Sequence, residues 1–172
     1  MVTLLTLLRI VHIVGGVFWA GSSFLMAGFI EPTVRGAGDD GRRFMQRLNS
    51  HSRFSTAIAA ASGATVLAGL WLMWIVSSGF SAAFFSTGRG GALGIGMWAA
   101  LIAFVLGFVM MNRPLRKLAG IGAAAAAAGG PPSPAQMAEM EKLTGTVRLG
   151  GRLVAVLLLV AVALMAGARY LP

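Results

Sequence analysis

The chain alternates long apolar runs with short polar ones, and the runs are longer than elements of a soluble core need to be. From Ile10 to Ile30, IVHIVGGVFWAGSSFLMAGFI, no charged residue occurs, with Arg9 before the run and Glu31 after it. At 1.5 Å rise per residue, about twenty such positions match the ~30 Å hydrocarbon core of a bilayer. Three further runs follow, giving predicted spans over residues 4–30, 54–77, 92–111 and 153–170. The pattern predicts an all-α fold: one four-transmembrane-helix bundle over residues 1–172, with no separate soluble domain.

The polar stretches supply the punctuation. Glu31-Pro32 predicts the end of the first helix, because proline disfavours helix at the residue before it. A polar loop is expected to Asp39, with Gly36 and Gly38 as breakers. Asp39-Asp40 then suits a helix N-terminus, where negative charge meets the positive end of the dipole. Phe44, Met45 and Leu48 set against Arg42, Arg43, Arg47 and Arg53 form an amphipathic lead-in to the second span. Ser77-Ser78-Gly79 ends that span, and the following connection, with Phe80, Phe84, Phe85 and Arg89, reads as a loop lying on the membrane surface. Asn112-Arg113-Pro114 is expected to end the third helix. GIGAAAAAAGGPPSP after it reads as a mobile loop, since its glycine and proline pairs oppose helix. Ser133 as N-cap and Pro134 at the first helical position begin a second amphipathic lead-in, residues 135–143, before the fourth span.

Composition agrees with a membrane protein: 57% hydrophobic residues, 11% charged, mean hydropathy +0.81. Soluble chains run near a quarter charged. The net charge of +9 raises nucleic acid as a partner. The basic residues, however, flank apolar spans instead of forming a basic domain, so nucleic acid is excluded. Their distribution orients the chain. Stretches 31–53 and 112–152 hold all basic residues except Arg9, Arg89 and Arg169. The positive-inside rule places those two stretches in the cytoplasm and both termini outside, in a plasma (inner) membrane of bacterial type. The first run is too long for a signal-peptide core and lacks a basic leader, so it is expected to be retained.

There is no cysteine, which removes thiolate ligands and thiol nucleophiles. His12 is then the main candidate. An imidazole inside a span is costly unless it is paired or ligating, and axial ligation of haem or binding of copper is its functional reading. Its bland reading is a hydrogen bond to a neighbouring helix. Gly15 and Gly16, one turn on, either make room for a flat macrocycle or allow close helix approach. Trp19, two turns on, shares the face and suits either the site or bundle packing. Met73, Met97 and Met165 fall at depths similar to His12, within roughly 9–12 Å of the outer helix ends. Imidazole with thioether suits Cu(I), and His/Met is also an axial pair for haem. Pairing His12 with His51 would require His51 to be buried early in the second helix. No acid lies within a predicted span, and neither a phosphate-binding glycine motif nor a catalytic triad is present, so binding is expected rather than catalysis.

His12, Trp19 and Gly21, as H-x6-W-x-G, resemble the opening of copper-resistance-D-like membrane proteins. The continuation, with Pro32, the arginine-rich stretch to Arg53 and GLWLMW (Gly69 to Trp74), is similar to small bacterial four-helix proteins of that type. The resemblance covers mainly residues 4–76 and implies metal or haem handling, with His12 as the residue carried over. A second likeness, through the histidine-to-tryptophan spacing, is to the haem-binding HemJ-type protoporphyrinogen oxidases. Against it, Phe24-Leu25-Met26-Ala27 stands where that family has Tyr-Leu-Pro-Arg, and no lysine lies within a span. The expected function is therefore binding of haem b or copper through His12 in membrane redox or metal handling. A cofactor-free structural subunit, partnered by another membrane protein or a second copy, is the rival, and a HemJ-like oxidase comes third.

Overall fold

The structure, a computed structural model, describes residues 2–172. The side chains of residues 2 and 49–51 lie outside the described part, and with them the pairing of His51 with His12. Among the described residues every regular element is helical: α1 (Val2–Leu25), α2 (Glu31–Gly36), α3 (Gly38–His51), α4 (Phe54–Val76), α5 (Ala82–Phe85), α6 (Gly88–Gly107), α7 (Arg113–Ala127) and α8 (Pro134–Gly167). A wider π-turn, Met26–Ile30, joins α1 to α2, and a second, Phe108–Asn112, joins α6 to α7. Four of the resulting helices are long and apolar enough to cross a membrane: Thr3–Gly36, Phe54–Val76, Gly88–Ala127 and Pro134–Tyr170. Large apolar side chains on their outer faces, such as Val17, Leu67 and Ile95, are more than half exposed, as lipid-facing residues would be.

Two of these helices run past their expected ends. The first does not stop at Glu31-Pro32, and the third does not stop at Asn112-Arg113-Pro114. In each, a π-turn lies immediately upstream of the proline. Proline cannot donate a backbone hydrogen bond, and in a regular helix its ring clashes with the carbonyl four residues back. At the first site Glu31 N–H donates to Met26 O, five residues back, and this wider turn accommodates Pro32. The hydroxyl of Thr33 then donates to Phe29 O at 2.7 Å. The expected loop from residue 33 to 39 is therefore mostly helix, with the corner at Ala37 and Gly38. Gly38 has φ +56°, a conformation that glycine adopts without a Cβ penalty.

The expected mobile loop after α7 is also shorter. Alanine's high helix propensity carries α7 through the alanine run to Ala127, and the turn follows with Gly129 at φ +68°. Ser133 is the N-cap of α8, in a capping box with Gln136 and with Pro134 in the first turn. The expected lead-in and fourth span form one helix of 34 residues. Asp39 and Asp40 occupy the first turn of α3, where they pair with Arg42 and Arg43. The hydrogen-bonded Arg42 guanidinium holds the Asp39 carboxyl below the ordinary carboxylate range.

Packing pairs α1 with α4 and α6 with α8, and smaller contacts join α1 to α8 and α4 to α6. Small residues let the backbones approach, as is common where lipid removes the hydrophobic drive between helices. A Cβ on Gly15 would lie 2.5 Å from Thr65 Oγ1 and 3.2 Å from Ala61 O, so α1 lies directly on α4 there. Trp19, Ala20, Ala103, Val154 and Leu158 form the central core. Two cavities flank it, one toward each end of the helices.

Candidate functional site

His12 lies half-buried on α1, facing α4. Its Nδ1 is 2.9 Å from Thr65 O. A carbonyl oxygen can only accept, so Nδ1 carries a proton and donates it. In the neutral ring this leaves Nε2 with its lone pair, the arrangement by which a backbone carbonyl commonly orients a ligating histidine. Gly69, one turn beyond Thr65, provides the notch for the ring: a Cβ there would lie 2.7 Å from Cε1 and 2.8 Å from Nδ1. Thr65, Gly69 and Met73 are spaced by four and share one face of α4.

That face looks onto a cavity of about 780 Å³. Its walls include His12 and Gly16 from α1, Met73 from α4, Met97 from α6 and Met165 from α8. The four candidate ligands thus come from the four long helices and line one space. Met73 is buried, whereas Met97 and Met165 are partly so. The remaining wall is mostly aliphatic, and Arg9 and Arg89 line the same cavity as exposed residues. Among the described residues no group of three or more His, Asp or Glu forms a cluster that could hold an ion. The side-chain donors lining this cavity include one imidazole and three thioethers, a set suited to soft or haem-bound metals, beside the Thr65 hydroxyl.

Two of the sequence-derived residues stand elsewhere. Gly15 faces Thr65 and Ala61, in the contact between α1 and α4. Trp19 is 4% exposed, sits in the core edge-on to Phe104, and lines the second cavity. Its neighbour Ala20 lines the first, so the core layer separates the two.

The sequence reading missed the features of the second cavity. Because the first helix runs through Pro32, Glu31 lies inside a long helix, and it reaches α8. Its Oε1 is 3.0 Å from Arg148 Nε and its Oε2 is 3.5 Å from an Arg152 terminal nitrogen. All three residues line a cavity of about 430 Å³ whose deeper wall includes Trp19 and Phe104. Pro32 concealed this, since a helix expected to end before it leaves Glu31 as a loop acid. No family model, no curated protein and no solved structure matches the chain.

Proposed function

We propose that the protein is a four-helix membrane bundle that binds haem b through His12, in membrane redox or metal handling. The observation that carries this reading is the His12 imidazole. Its Nδ1–H is anchored on Thr65 O, in the wall of a cavity of about 780 Å³ that Met73, Met97 and Met165 also line. The volume falls within the usual range for small-molecule and cofactor sites. Nε2 of His12 would be one axial ligand and a methionine sulfur the other, while Gly16 leaves space on the α1 side. Arg9 and Arg89 would pair with the two propionates, since guanidinium matches a carboxylate fork. A haem held in this way supplies one-electron exchange, with the axial pair setting its potential. In the proposed orientation the termini and this cavity face outward, the basic segments face the cytoplasm, and α3 and the start of α8 lie near the interface as amphipathic lead-ins.

Two features favour a second reading, a cofactor-free structural subunit. The His12–Thr65 hydrogen bond already satisfies one nitrogen while tying α1 to α4, and Gly15 brings those helices together. Copper is the third, carried by the imidazole and thioether set. The discriminating experiment is the visible spectrum and metal content of detergent-purified protein, with His12→Ala beside it. A Soret band lost in His12→Ala supports haem, and copper lost in His12→Ala supports copper. A colourless, copper-free preparation after expression with haem and copper supplied overturns both cofactor readings.

A further inference from the structure

The second cavity has walls of two kinds. Its deeper part is apolar, with Trp19, Ile58, Ala103, Phe104 and Val154. Its other end carries Glu31, Arg148 and Arg152, beside Asn112 and Thr144. Phe108, also in its lining, is 59% exposed, so the space opens sideways onto the apolar surface. The charged end lies where the chain concentrates its basic residues, in stretches 31–53 and 112–152.

Among the described residues, charge and hydrogen bonding at this end are incomplete. Two guanidinium groups face one carboxylate, leaving one positive charge. Each guanidinium has five N–H donors, more than the two Glu31 oxygens can engage. Arg148 Nε and Glu31 Oε2 are shielded from solvent, yet neither makes a hydrogen bond of good geometry with a described residue. The ion pairs are close in distance but poorly aligned. A group that brought one negative charge and several acceptor oxygens would complete the set, and an attached apolar chain would fill the space beside Trp19.

From this we infer that the cavity is a binding site for an anionic phospholipid, entering past Phe108 with its phosphate at Arg148 and Arg152 and an acyl chain against Trp19 and Phe104. Basic pockets between helices at this level are suited to such headgroups. A zwitterionic lipid offers the same phosphate but carries a cation into a site already positive. The preference is therefore for net negative charge. The inference stands independently of any cofactor at His12.

Trp19 provides the probe, because at 4% exposure it is shielded from bulk lipid. The variant Trp71→Phe/Trp74→Phe/Trp98→Phe, reconstituted in vesicles, leaves Trp19 as the sole tryptophan. Brominated phosphatidylglycerol in a phosphatidylcholine background is compared with brominated phosphatidylcholine in a phosphatidylglycerol background, at equal mole fraction. One net positive charge predicts about fivefold enrichment of the anionic lipid at the site, read as stronger quenching of Trp19. Arg148→Gln/Arg152→Gln should remove the preference. Glu31→Gln/Arg148→Gln/Arg152→Gln, which leaves no buried unpaired charge, should do the same with Trp19 emission in unbrominated lipid unchanged. Arg148→Lys/Arg152→Lys should keep it. Inorganic phosphate, against chloride at matched ionic strength, should leave the preference intact. Equal quenching by both lipids, no quenching, a preference that survives the triple substitution, or displacement by free phosphate would each overturn the inference.

Discussion

The His12 ring lies in the space that a side chain at Gly69 would occupy: a Cβ there would come within 2.7 Å of Cε1 and 2.8 Å of Nδ1. The position of the imidazole therefore depends on a residue of another helix that carries no functional group. Gly69→Ala should push the ring from Thr65 O and lower stability by about 1–3 kcal/mol, the usual cost of overpacking. Gly63→Ala on the same helix meets nothing within 4 Å and should be neutral or stabilising, since alanine is favoured over glycine in a helix. Thermal unfolding in detergent measures both. Equal effects would mean that the ring is not fixed by the notch.

The three methionines separate haem from copper by position. Met73 follows Gly69 by one turn on the α4 face against which His12 packs. A haem takes its two axial ligands on opposite sides, so its second ligand should come from across the cavity, as Met97 or Met165. A copper ion, needing no opposed pair, would use Met73 beside His12. Methionine to leucine keeps volume and costs under about 1.5 kcal/mol in a core. Haem binding predicts a changed spectrum in Met97→Leu or Met165→Leu and none in Met73→Leu. Copper binding predicts weaker Cu(I) affinity in Met73→Leu. Three silent variants would leave His12 without a thioether partner.

The apolar runs made the four long helices legible, because length and hydrophobicity depend on no tertiary detail. Helical rise also brought His12, Met73, Met97 and Met165 to similar depth, and the structure places all four in one cavity wall. Helix rotation was not legible to the same degree. Trp19 shares a nominal face with His12, yet it turns into the core and the other cavity. The ends were misread where two local rules competed. Proline was expected to stop a helix, but a π-turn upstream accommodates it at Pro32 and Pro114. That misreading hid the reach of Glu31 to Arg148, a contact that exists only if the helix continues.

The contact of Glu31 with Arg148 and Arg152 ties the first long helix to the last. Glu31→Gln leaves the half-buried Arg148 and the exposed Arg152 without a counter-charge and should cost about 1 kcal/mol, since solvent screens a partly exposed pair. Glu31→Gln/Arg148→Met should recover part of that loss, because it removes the half-buried cation that the first substitution leaves unpaired. The unfolding midpoints of the two variants give the comparison. A double variant less stable than Glu31→Gln alone would show that the unpaired Arg148 cation is not what the first substitution costs.

The connection between α7 and α8 divides into a replaceable turn and a packed segment. Ala125 is buried, and α7 packs on α8, so the alanine run forms part of the helix interface. Between the two helices Gly129, Gly130 and Pro131 are exposed and Pro132 is half-buried. Replacing residues 129–132 with a Gly/Ser linker should leave the unfolding temperature within a few degrees. Ala125→Glu should lower it clearly, through burial of an unpaired charge. The opposite ranking would place the interface in the turn.

The proposed orientation rests on charge and can be tested with single cysteines, because the chain has none of its own. Ala83, in α5 between α4 and α6, and Ala128, between α7 and α8, are both exposed. Asp40, in α3, is exposed as well. The helix directions put Ala83 at one end of the molecule and Asp40 and Ala128 at the other, a relationship independent of which side is cytoplasmic. The proposed side rests on the positive-inside rule, since arginine and lysine near the ends of spans resist translocation. Ala83→Cys should react with a membrane-impermeant maleimide in intact cells. Asp40→Cys and Ala128→Cys should react only after the membrane is opened. The reverse pattern would invert the proposed orientation, place the His12 cavity toward the cytoplasm and the Glu31 cavity outside, and change the side from which a ligand of either could be supplied. Labelling of all three before permeabilisation would contradict four spans.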